Sequence, residues 1–95
     1  MTDAEILTKV KTCLGMTTDD EDVNAQLSLK IKAVTLYLID GGADITNVNI
    51  TDKDIACVAM GVNDLLNNNS GTTSFSPAFD IIAKQICGGV HATPV

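Results

Sequence analysis

The stretch from Thr18 to Gly42 decides most of what this chain can become. Thr18 and Glu21 stand at capping-box spacing, in which a hydroxyl serves a backbone N–H further on and a carboxylate reaches back. Asp19, Asp20, Glu21 and Asp22 load negative charge where a helix dipole is positive. Val23, Leu27, Ile31, Val34 and Leu38 follow at steps of three and four, an apolar stripe of helical period. Gly41 and Gly42 supply the stop. The spacing predicts a helix over about residues 19–40, roughly 33 Å long at ~1.5 Å per residue. Ala25, Leu29 and Leu36 fall well off the first stripe at ~100° per residue. A helix with one wet face needs a single stripe, and a second implies cover on a second side. Either this long helix is central in its own bundle, or Leu29 and Leu36 meet a neighbouring subunit.

The rest of the chain reads as shorter helices around that one. Thr2 and Glu5 form another capping box, Ile6, Val10, Cys13 and Leu14 share a face, and Gly15 suits a left-handed stop. That predicts a helix over about residues 3–14. After a connection in which Val48 and Ile50 flank Asn49 as a weak strand signal, Thr51 and Asp54 open a third helix, about 52–67. Its core face is Ile55, Val58, Ala59, Val62, Leu65 and Leu66, with Cys57, Gly61 and Asp64 opposite. Gly61 costs about 1 kcal/mol against Ala in a helix interior, which close approach of another backbone would offset. Asn67 to Ser74 is a polar loop with no apolar anchor. Ser76 and Pro77 then read as N-cap and first helical residue of a helix over about 77–87, with Phe79, Ile82, Ala83 and Ile86 inward. Gly88 and Gly89 end it, and residues 90–95 form a tail expected, like the loop, to be mobile until a partner orders it. The expectation is one domain over residues 1–95, all-α, a small four-helix bundle with a long central second helix.

Composition narrows the function. The chain has six Lys, no Arg and twelve acidic residues, a net charge of −6. Arg supplies the planar fork that grips phosphate, and DNA affinity rests on neutralising phosphates. The composition therefore argues against a tight, wrapping nucleic-acid binder, though not against DNA passing alongside. No apolar run approaches the ~20 residues of a membrane span, and no signal-peptide pattern opens the chain. Cys13, Cys57 and Cys87, odd in number and far apart, suit free thiols in a reducing cytoplasm.

No set of residues assembles for catalysis or cofactor binding. Cys87 and His91 stand four apart and could join Cys13 and Cys57 around zinc, but no Cys-x-x-Cys pair exists and Cys13 fits an apolar helix face. The run Asp19–Asp22 lacks the alternation of a calcium loop. The single His lies in the tail, and the glycine pairs are helix stops, not phosphate loops. An acyl carrier protein would need Asp-Ser-Leu at a helix start; Ser28 lies in mid-helix between leucines, and Ser76 lies between Phe75 and Pro77. The sequence thus points to no enzyme, no metal and no cofactor.

One resemblance covers nearly the whole chain. Gly61-Val62-Asn63-Asp64-Leu65-Leu66-Asn67, then Ser70-Gly71, then Phe75-Ser76-Pro77-Ala78-Phe79 and Gln85-Ile86, resembles the small head–tail connector (adaptor) proteins of tailed phages and prophages. Val10-Lys11 through Leu14, the acidic run Asp19–Asp22 and the long helix agree with it. The resemblance implies a structural subunit of the virion, made in the host cytoplasm and placed at the head–tail junction. Such proteins form a ring, commonly of about twelve copies, below the portal. The ring extends the DNA channel and offers a platform to tail, stopper or head-completion proteins. Double-stranded DNA would pass without specific binding. Leu29, Leu36, Gly61, Ser70, Gly71, Phe75, Val90 and His91 are the candidate subunit and partner contacts. A small acidic helical adaptor or inhibitor from a mobile element, binding a host protein, is the alternative.

Overall fold

The computed structural model describes residues 1–67 and 75–88. The helices are α1 (Asp3–Leu14), α2 (Glu21–Asp40), α3 (Asp52–Asn67) and α4 (Pro77–Gly88), an all-α bundle as the periodicity predicts. No strand occurs among the described residues. The weak alternation around Asn49 belongs to a turn.

Local chemistry sets the helix ends. At α1 the Thr2–Glu5 capping box forms in both directions, at 3.0 and 3.1 Å, and Gly15 stops the helix at φ 71°. At α2 the cap is Asp20, not Thr18. The Asp20 carboxylate accepts from the Asp22 and Val23 backbone N–H groups at 2.8 and 3.3 Å, while Thr18 accepts from the Asp20 N–H just upstream. A charged acceptor facing the helix dipole caps better than a hydroxyl, so the helix starts two residues later than the acidic run suggests. At its other end Gly42 takes φ 110°, which lets the Ala43 N–H turn back to Leu38 O at 2.9 Å. Thr51 and Asp54 cap α3 reciprocally. Ser76 caps α4 by accepting from the Phe79 N–H, and its own N–H donates to Asp64 on α3 at 2.9 Å.

The first α2 stripe enters the core as expected: Leu27, Ile31, Val34 and Leu38 are buried. They meet Ile6 and Val10 of α1, Ile55, Val58, Ala59 and Val62 of α3, and Phe79 and Ala83 of α4. Ala43 and Ile45 tie the α2–α3 connection into the same core.

Burial also departs from expectation, as at Leu66, which is 40% exposed although assigned to the core face of α3, and more consequentially at two places. First, α3 is buried on more sides than its main stripe implies, because Cys57 and Gly61 are buried as well. The α4 helix returns across that side, where Lys53 donates to Gln85 and Asp64 holds Ser76. The long α2 remains the longest helix, but α3 is the one more thoroughly enclosed. Both touch every other helix, whereas α1 and α4 flank the pair and do not touch each other. Second, Cys13 is exposed. The half-buried Leu7 and Leu14 pull the inward side of α1 round. At ~100° per residue, the mean direction of Ile6, Leu7, Val10 and Leu14 lies roughly 75° from Cys13.

Candidate functional site

Among the described residues nothing covers the second α2 stripe. Leu29 is 71% exposed and Leu36 53%, and Ile39 continues the line at the C-terminal end of the helix. Beside this stripe lies a groove of about 760 Å³ between α2, the first turns of α1 and the α2–α3 connection. Ile6, Ile31 and Ile45 form its floor, and Ala25, Leu29, Leu36 and Ile39 form its α2 wall. Among the described residues two charged groups line it: Lys32, set between Leu29 and Leu36 on the same helix face, and Asp3. Among the described residues, the Lys32 ammonium has no carboxylate within ion-pair reach.

The third wall is the turn at residues 46–49, set between the buried Ile45 and the half-buried Ile50 and held by polar bonds. Thr46 Oγ1 accepts from the Val48 and Asn49 N–H groups, and Asn49 Oδ1 accepts from the Thr46 N–H at 2.6 Å. Asn47 is fastened to the start of α1, donating to Asp3 at 2.7 Å and accepting from the Met1 ammonium. These bonds hold Val48 outward, 93% exposed. An apolar side chain presented on a braced turn loses little freedom on meeting a partner, so Val48 is a ready contact.

The candidate residues fall in four places. Leu29 and Leu36 come together on the groove wall. Phe75 does not join them. It is half-buried and stacks on Phe79 at 4.3 Å, with Tyr37 of α2 5.0 Å away. Gly61 lies inside the bundle, and a Cβ there would sit 2.7 Å from both Val34 Cγ1 and Phe79 Cε1. The approach that Gly61 permits is made by side chains of its own chain, so the outer surface is drawn without it. Ser70, Gly71, Val90 and His91 lie outside the described residues.

Ile39, Lys32, Val48 and, on α4, the 60% exposed Ile81 are surface features that the sequence reading did not single out. Ile39 was within reach of it, since it extends Leu29 and Leu36 at helical spacing. Val48 was not, because its exposure depends on the turn.

The two groups whose titration is shifted, Cys57 and Glu5, lie away from the groove. Burial, and then the neighbouring Cys87 and Asp54, push the Cys57 thiol up to about 11, so it stays a neutral core group. Hydrogen bonds from the Thr2 backbone and hydroxyl hold the Glu5 carboxyl below its ordinary range, as a helix cap requires. Neither residue lines the groove. Among the described residues no cluster of three or more His, Cys, Asp or Glu side chains could hold a metal, and no helix is long and apolar enough to cross a membrane.

The fold and this surface define a class: a small all-helical protein whose most prominent feature is an open apolar face. Residues 6–73 match the family described as Phage connector protein, and the chain belongs to that family. The matched residues run from α1 through α3 and include Leu29, Leu36 and Gly61. No curated protein and no solved structure matches the chain. Family membership supports a connector role at the head–tail junction and a place among the structural components of the virion.

Proposed function

We propose that the chain is a head–tail connector subunit without catalytic activity. It assembles as a ring below the portal, extends the DNA channel, and gives tail, stopper or head-completion proteins a platform. The observation that carries this reading is the uncovered Leu29–Leu36–Ile39 stripe on the longest helix of a member of the connector family. Burying an exposed Leu contributes about 1.5–3 kcal/mol, so a stripe of three large aliphatics is a strong incentive to associate. Its length along α2 suits packing against a helix of a neighbouring copy. The charge supports the channel role. With six Lys against twelve carboxylates and no Arg, the ring would repel phosphates and let DNA slide.

Electron microscopy of the purified chain, alone and mixed with its portal protein, tests the reading. Rings, or a collar added to the portal vertex, are expected. A chain that stays monomeric in both settings and instead captures a single host protein is the adaptor or inhibitor of the alternative reading.

A further inference from the structure

A ring needs two different surfaces on each copy, because head-to-tail contacts close into rings only when patch meets unlike patch. The groove supplies one. The outward side of α4 supplies another, on a flank separate from α1. There Ile81 is 60% exposed, and Asp80 and Lys84, both exposed, stand one turn apart beside it. The groove carries the opposite pair, Lys32 and Asp3, next to apolar walls. An apolar knob flanked by one acid and one base on α4 is thus complementary in charge to a socket lined by one base and one acid.

Resting on the ring reading above, we propose that α4 of one copy docks in the groove of the next, with Ile81 seated against Leu29 and Leu36 and Asp80 reaching Lys32. The pairing makes a lone subunit incomplete at both ends. It also accounts for an ammonium placed in the middle of an apolar stripe: opposite Asp80 it fixes the register of the contact, and like charges there would reject it.

Charge reversal tests the pairing in the full chain. Lys32→Glu sets an acid against Asp80, and Asp80→Lys sets a base against Lys32. Each variant alone should lose association by about tenfold or more while keeping the helical circular dichroism of the parent, since both side chains are exposed. An equal mixture of the two should reassemble, because every groove then finds an α4 of opposite charge in alternating order. The double variant should also assemble on its own. Sedimentation velocity reads all four samples against the unchanged chain. If the unchanged chain forms rings but the mixture and the double variant stay dissociated, the pairing is wrong and the ring reading survives. If the mixture recovers only a species of two chains, the pairing holds and the ring fails. If the unchanged chain never assembles, alone or with its portal, both fall.

Discussion

Replacing Gly61 by Ala tests whether that position serves the monomer or its partners. In an open helix this change stabilises by about 1 kcal/mol. Here the new Cβ would stand 2.7 Å from Val34 Cγ1, 3.1 Å from Val34 Cγ2 and 2.7 Å from Phe79 Cε1. Val34 is 1% exposed and stiff at χ1, and Phe79 is fully buried, so neither side chain can swing away. Overpacking of this kind costs about 1–3 kcal/mol, and two clashes from two helices place it at the upper end. The expected net loss is about 1–2 kcal/mol, a fall in the urea midpoint of roughly 0.5–1 M followed by helical circular dichroism. The companion variant Val34→Ala removes two of the three close atoms and itself costs about 1.5–3 kcal/mol. In that background Phe79 can lean into the vacated space, and Gly61→Ala should cost close to nothing. A midpoint that rises in the parent chain, or an equal penalty in both backgrounds, would refute the close-packing account. A folded Gly61→Ala monomer of unchanged stability that no longer assembles would return Gly61 to the outer surface.

Four further outcomes are expected. Leu29→Lys with Leu36→Lys should leave a folded monomer and abolish the proposed ring, as read by sedimentation; an unfolded double variant would mean that the stripe belongs to the core. Asp20→Ala should cost about 1 kcal/mol in urea unfolding because two N–H groups of α2 lose their acceptor, whereas an equal loss from Thr18→Ala alone would move the cap upstream. For the cysteines, Cys13→Ser should change stability by under about 0.5 kcal/mol and Cys57→Ser by more, since only Cys57 is buried. The Cys57 thiol is raised from 9.0 to about 11 on folding, so its contribution is complete below pH 9 and is lost as pH rises from 9 towards 11. A Cys57→Ala chain should lack that part of the alkaline decline, and identical pH profiles for the two chains would contradict the burial.

The fold was legible because the strongest signals were local. Capping boxes, stripes at steps of three and four and glycine stops are set within one helix, and they placed all four helices to within two residues. What failed depended on neighbours. Thr18 lost the cap to Asp20 because competition between two adjacent acceptors is settled by geometry at the helix start. Cys13 and Gly61 were misplaced because the wheel position of a residue shows where it points but not what stands there. Leu29 and Leu36 were marked as surplus to one core stripe, which sequence can show, while the groove beside them required Asp3, Asn47 and Lys32 to come together from distant segments. Val48 illustrates the limit: an alternating triplet became a polar-braced turn through bonds to Thr46 and the start of α1, contacts that no local period encodes.

The packing of Phe75, Phe79 and Tyr37 has a spectroscopic consequence. These are all the aromatic side chains in the chain, with no Trp among them, and they meet at the junction of α2 and α4. Near-ultraviolet ellipticity and tyrosine emission therefore report a single corner of the molecule. Tyr37 is half exposed on one side and held against two phenyl rings on the other, so its signal changes when α4 shifts on α2 or when a neighbour covers the corner. The proposed assembly, if a neighbour covers this corner, is open to real-time observation with the unlabelled protein, and a dye or an introduced tryptophan is needed only for events at the opposite flank.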